Sequence, residues 1–246
     1  MRYLVLTDIH GNLEALEAVL EHAAGRQYGA VLVLGDLVGY GADPNLVIER
    51  IEALAPAAIV RGNHDKVAAG VEDAEGFNLT ARNAVQWTYD ALTPEHRAYL
   101  RTLPVGPRVV DDLIEICHGT PFDEDAYVFD ELDAIRAIEA SRRPVCLFGH
   151  THVPLVCART DDELEVYTLD GDPFTLDIEE GRRYLVNPGS VGQPRDGDPR
   201  AAMAIVDTEA RRMELIRVPY FVEQAQYKVR AAGLPEVLAK RLALGR

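Results

Sequence analysis

Short apolar runs alternate with stretches of helical spacing through the first 65 residues. The first run, residues 2–7, ends at Asp8-x-His10-Gly11-Asn12. Residues 13–25 then set Leu13, Leu16, Val19, Leu20 and Ala23 on one helical face and close at Gly25. The second strand, residues 30–35, holds in Val31 to Leu34 the continuous apolar signature of a strand buried on both faces, and it runs into Gly35-Asp36. Pro44 stands at a first helical position, followed by Leu46, Val47, Ile48, Ile51 and Leu54, and Pro56 stops that helix. Ala57 to Val60 reads as a third strand and runs into Arg61-Gly62-Asn63-His64-Asp65. Strand, helix, strand, helix, strand with short loops is the α/β pattern, with right-handed crossovers.

The pattern then changes. Residues 66–105 read as a helical insertion beside the strand ends, with a helix over Leu79 to Leu92 and a second one capped by Thr93-Pro94 and ending near Leu103. Residues 108–117 return to strand, folded at Asp111-Asp112, and deliver His118. A helix over 130–141 precedes a strand, Pro144 to Phe148, that ends at Gly149-His150-Thr151-His152. Short strands follow at Val153–Ala158, Glu163–Leu169, Arg183–Asn187, Ala201–Asp207 and Met213–Val218, and apolar spacing over about 221–243 predicts one C-terminal helix. With no linker and no repeat, residues 1–246 are expected to form a single domain.

Composition narrows the function classes. At 48% hydrophobic and 26% charged the chain is an ordinary globular sequence, and no apolar run approaches the roughly 18–20 residues of a membrane span. A net charge of -15 argues against a nucleic-acid partner, which needs clustered Lys and Arg, and an anionic substrate would need a local attractor such as a bound cation. Cys117, Cys146 and Cys157 form no zinc spacing and no paired framework, which fits a reducing, cytoplasmic setting. The apolar tail leaves a second copy of the chain open as a partner.

Five of the seven histidines, His10, His64, His118, His150 and His152, stand directly after predicted strands, joined there by Asp8, Asp36 and Asn63. Carboxyl ends of parallel strands share one sheet edge, where ligands bind in α/β folds. Each acid alone is a turn cap or a functional carboxylate; the set together points to a metal. In extended backbone, Asp8-x-His10 and His150-x-His152 would each aim two donors one way. Carboxylate, imidazole and amide without thiolate suit a first-row divalent ion, manganese first, with iron, cobalt, nickel and zinc also compatible. Seven candidate ligands exceed what one open catalytic ion needs, whereas two ions sharing a carboxylate use them all.

Asp8-x-His10, Gly35-Asp36, Gly62-Asn63-His64-Asp65, His118 and Gly149-His150-Thr151-His152 resemble, in order, the blocks of the calcineurin-like metallophosphoesterase superfamily. The resemblance implies a four-layer αββα sandwich, two mixed β-sheets face to face with helices outside. It implies one metal on Asp8, His10, Asp36 and His152, and a second on Asp36, Asn63, His118 and His150, with Asp36 and a hydroxide bridging. That hydroxide would attack phosphorus in line, with His64 over the leaving oxygen and Asp65 orienting His64.

The branch is less defined. Protein phosphatases and diadenosine tetraphosphatases of this superfamily carry Gly-Asp-x-Val-Asp-Arg-Gly, and here Gly39-Tyr40 replaces the Asp-Arg pair, including the phosphate-holding Arg. A small phosphomonoester or phosphodiester, a nucleotide or dinucleotide among them, is the expected substrate. A nuclease, a non-catalytic scaffold and a one-metal hydrolase are the alternatives. Asn12 reads equally as a helix cap and a substrate contact, and Arg195, in the Gly- and Pro-rich loop from Asn187, as a phosphate clamp and an exposed loop residue. Arg61 is expected to pair with an acid, and Arg82 and Asn83 to be solvated or packed, with lining of the cleft as the other reading.

Overall fold

The computed structural model describes residues 1–160 and 163–246. The chain opens with β1 (Arg2–Leu6), α1 (Leu13–Ala24), β2 (Ala30–Val33), α2 (Pro44–Leu54) and β3 (Ala58–Ile59). Three helices follow, α3 (Asn63–Ala68), α4 (Leu79–Ala91) and α5 (Pro94–Thr102), then the hairpin β4 (Arg108–Val109) and β5 (Ile114–Ile116). Next come α6 (Glu131–Ala140), β6 (Val145–Leu147), β7 (Leu155–Arg159), β8 (Leu164–Val166), β9 (Phe174–Asp177) and β10 (Arg183–Asn187). The chain ends with β11 (Ala201–Asp207), β12 (Arg212–Val218), α7 (Val222–Ala231) and α8 (Glu236–Leu244).

Two six-stranded mixed sheets result, ordered β3-β2-β1-β11-β12-β9 and β4-β5-β6-β10-β7-β8. Parallel pairing sets Leu4 opposite Val31 and Ile114 opposite Val145, while Leu4 faces Ile205 across an antiparallel ladder. Alternation along β1 and β2 then builds two cores at once. Leu4, Leu6, Val31 and Val33 face α1 and α2, and Val5, Leu32 and Leu34 meet Ile116, Leu147, Val156 and Val186 of the other sheet. On that sheet's far side Cys117, Cys146, Cys157 and Leu185 pack against α6. The three cysteines are free and buried. The layers are those expected of the αββα sandwich.

Three local expectations are revised. β9 carries no strand signal because it is an edge element in which Leu176 alone is buried. The tail is two helices: Gly233 takes a left-handed φ of 72°, Pro235 follows, and the reversal folds α8 back on α7. The apolar spacing continues across that break, which is why it reads as one helix. The insertion begins earlier than residue 66, because Gly62 caps a short helix whose first residue is Asn63.

Candidate metal centre

The site lies where the carboxyl ends of β1, β2 and β3 meet those of β5 and β6. Asp8 and His10 leave β1, Asp36 leaves β2, and Asn63 opens α3 just after β3. His118 follows β5, and His150 and His152 follow β6. One donor atom each from Asp8, His10, Asp36 and His152 lie within 4.8 Å of one another, and so do donors from Asp36, His118 and His150. Asn63 Oδ1 is 3.1 Å from His118 Nε2, which brings it to the second group.

Each imidazole is held by a backbone carbonyl. His10 Nδ1 donates to Val38 O at 3.0 Å, His152 Nδ1 to Gln193 O at 2.6 Å, His118 Nδ1 to Leu34 O at 2.8 Å and His150 Nε2 to Asp125 O at 3.0 Å. A carbonyl only accepts, so the tethered nitrogen carries the proton and the other presents a lone pair. His10 Nε2 and His152 Nε2 face each other at 3.0 Å, as do His150 Nδ1 and His118 Nε2 at 3.2 Å. Opposed lone pairs at this range repel unless positive charge lies between them. Metal-ligating histidines are tethered in just this way, so the donor set fits divalent ions.

Asp36 sits between the groups. Its Oδ2 is 3.4 Å from both His10 Nε2 and His118 Nε2, while Oδ1 accepts the His64 N–H at 2.9 Å. Asp8 accepts from Thr7 Oγ1 and the His150 N–H. The backbone is strained to achieve this. Asp8, His10, Asp36, His150 and His152 all have φ between 50° and 66°, five of the eight non-glycine residues with positive φ among those described. Such conformations cost of order 1–3 kcal/mol each and persist where surrounding structure imposes them. The extended-backbone expectation for Asp8-x-His10 and His150-x-His152 is therefore corrected. The left-handed turns aim His152 at the first group and His150 at the second. Gly149 is needed for the same approach, since a Cβ there would lie 2.6 Å from Asp8 Oδ2.

Burial and mutual charge shift every group here. Burial pushes Asp8 up to about 6, opposed by His118 and reinforced by Asp36. Burial pulls His118 down, but Asp36 and Asp8 outweigh it and hold the ring up at about 10. Without a cation, a proton on Nε2 therefore supplies the positive charge between it and His150 Nδ1, and the lone pair is presented only when an ion displaces that proton. Asp36 stays well below the carboxylate range despite its burial, because His118, His64 and His10 surround it. Burial lowers His150 to about 3 and His64 to about 4.

His64 stands beside the first group, its ring 4.8 Å from that of His10, and its Nδ1 is buried without a hydrogen-bond partner. Asp65 does not orient it. Successive helical residues point about 100° apart, and the Asp65 carboxylate accepts from Leu37 N, Val38 N and Gly62 N instead. Asn12 caps α1: its Oδ1 accepts from Ala15 N, its Nδ2 donates to Gly192 O and Tyr220 Oη, and the residue is buried. Arg61 pairs bidentately with Glu124, and Arg82 and Asn83 are exposed, Arg82 bonded to backbone carbonyls of its own insertion. Arg195 does reach the mouth of the site, its guanidinium 5.6 Å above the Tyr40 ring. Tyr40 packs on His10 and His64, and Tyr127, which stands out by no sequence signal, lies 3.9 Å from the His150 ring.

The calcineurin-like phosphoesterase superfamily domain matches residues 1–211. The chain belongs to that superfamily. By family it is a phosphoesterase. A metallophosphoesterase from Sphaerobacter thermophilus has a similar crystal structure, with a TM-score of 0.87 and 41% identity over 100% of this chain and 99% of that one. An uncharacterized protein of Methanocaldococcus jannaschii is 34% identical over 244 residues, 98% of this chain and 97% of that protein. Phosphodiesterase YfcE of Escherichia coli is 25% identical over 218 residues, 85% of this chain and 89% of that protein. Among the described residues no helix is long and apolar enough to cross a membrane.

Proposed function

We propose that this phosphoesterase uses two divalent ions to hydrolyse small phosphomonoesters or phosphodiesters, with residues 1–246 acting as one domain. The observation that carries the reading is the set of four carbonyl-tethered imidazoles whose free nitrogens converge on Asp36 and Asp8. Asp8, His10, Asp36 and His152 would hold one ion, and Asp36, Asn63, His118 and His150 the other. Bound there, the ions would neutralise charge on the phosphoryl oxygens and make water acidic enough to supply a nucleophile near neutral pH.

The remaining steps belong to side chains. Asp36 Oδ2 joins the two groups and keeps them at a fixed separation. His64, beside that carboxylate, hands a hydrogen bond or proton to the leaving oxygen as the ester bond breaks. Arg195 grips a phosphoryl oxygen, a role that guanidinium geometry suits. It takes the place of the Arg that Tyr40 displaces from the second block, and Tyr40 supports it from below. The buried rings around Asp8 and Asp36 exclude bulk water and strengthen each of these interactions.

A phosphate-release screen over nucleotides, dinucleotides, cyclic nucleotides and bis(p-nitrophenyl) phosphate, with Mn, Ni, Co, Zn and Mg in turn, tests the reading. Turnover with about two ions per chain is the expected result. Full activity with a single ion, or no turnover with any metal, would overturn it.

A further inference from the structure

Beside Tyr40 and Arg195 opens a cavity of about 530 Å³, large enough for part of a small ligand. Its lining includes Lys240, Arg241 and Arg246 from the C-terminal hairpin, together with Arg195, and no acidic side chain. In a chain with 40 acidic and 25 basic residues, four cationic side chains around one space without an acidic side chain is a marked departure. Some basic residues elsewhere are neutralised: Arg200, Arg217 and Lys228 pair with acids. Among the described residues, none of the four lining cations makes an ion pair, and Arg195 Nε is buried without a hydrogen-bond partner.

The cavity adjoins the chemistry. Tyr40 lines it, and the Tyr40 ring lies 4.5 Å from that of His64. A second space, of about 630 Å³, shares Tyr127 and Arg195 but is walled by Phe129, Val153 and Val166 and carries Asp130 and Glu131. It would repel an anion that the first would hold. The three hairpin cations lie beyond residue 211, outside the segment that matches the family domain.

We propose that this cavity binds a second phosphate of the substrate, on the arm that passes Tyr40 and His64, so that the preferred substrates are small phosphoesters whose leaving group is itself phosphorylated. The proposal rests on the phosphoesterase reading above. The reaction is still hydrolysis: water adds at phosphorus, the ester P–O bond breaks, and the leaving oxygen takes the proton. The second phosphate is bound and not cleaved, and the C-terminal hairpin is a specificity element added to the family domain.

The test is competition against bis(p-nitrophenyl) phosphate by adenosine 3′,5′-bisphosphate and by adenosine 3′-monophosphate. The bisphosphate should inhibit about tenfold more tightly, or better, as expected for an added phosphate held by several cations. That preference should fall as ionic strength rises. In the doubly substituted Lys240→Glu, Arg246→Glu protein, both exposed positions, the two inhibition constants should approach one another. Arg241→Gln, which leaves the charge of the other two intact, should shrink the ratio in the same direction. Equal inhibition constants in the unsubstituted protein, or an unchanged ratio in both variants, would overturn the proposal. A variant that loses affinity equally for both ligands would show a structural role instead, and overturn it too. Failure to hydrolyse any ester with any metal would sink the phosphoesterase reading separately. Equilibrium binding of the two nucleotides to metal-free protein would then still report on the cavity, with equal affinities overturning the proposal.

Discussion

The two donor groups use the same residue types but hang from different parts of the chain. The first, Asp8, His10 and His152, is walled by tight segments that stitch the two sheets together. Val38 O and Gln193 O hold its rings, Ser190 Oγ bonds Asp8 O, and Gly192 N donates to the same carbonyl. The second, Asn63, His118 and His150, leans on a surface loop. Leu34 O at a strand end holds His118, but Asp125 O holds His150, and that loop carries the part-exposed Tyr127 and the exposed Phe129. Rigid support favours tight, geometry-selective binding, and a loop support yields more easily. The first group should therefore hold its ion more tightly than the second.

Asp36 is where the comparison breaks down, because it belongs to both groups. Asp36→Asn should weaken both ions together in a manganese titration and lower turnover on the order of a thousandfold, ~4 kcal/mol of barrier. Retention of one ion at full affinity would show that the two groups do not share it. His64→Ala separates chemistry from metal binding. Two ions should still bind, while kcat falls about a hundredfold or more; unchanged kcat would remove His64 from the reaction.

Much of this arrangement was legible as residue types at strand ends. A histidine or aspartate after a buried apolar run is an unusual choice, and seven donors at such positions point to a metal site before any geometry is known. Directions were not legible. His150 and His152 part company because both adopt left-handed backbone, which a period of two does not anticipate. Asp65 turns from His64 because α3 starts at Asn63, and a six-residue helix after a glycine leaves little periodic signal. The carbonyls of Val38, Leu34, Asp125 and Gln193 are invisible in principle, since every residue has one. The Gly233-Leu234-Pro235 break did carry a signal, in the glycine and proline, that the continuous apolar spacing outweighed.

Two neighbours on α3 sharpen the comparison. Asp65 holds the Leu37 and Val38 amides, and Val38 O in turn tethers His10 of the first group. Lys66, also buried, reaches the other way, pairing with Asp125, with Glu72 at 2.7 Å and with Glu124 at 3.6 Å, and so steadies the loop that tethers His150. Asp65→Asn leaves one acceptor oxygen for three backbone N–H groups that now share two. It should weaken the tighter ion by about 10–100-fold, the usual cost of disturbing a ligand's support, and the weaker ion less, through the Gly62 N–H that Asp65 also holds beside Asn63. Lys66→Met keeps the buried stem and removes the charge. Its acid partners are partly exposed, so the loss should be smaller, a few-fold in the weaker ion only. Isothermal titration with manganese, which resolves two affinities, reads both variants at once. Should Lys66→Met weaken the tighter ion instead, the loop would not be the support of the second group, and the division of labour between the two sides of α3 would fail.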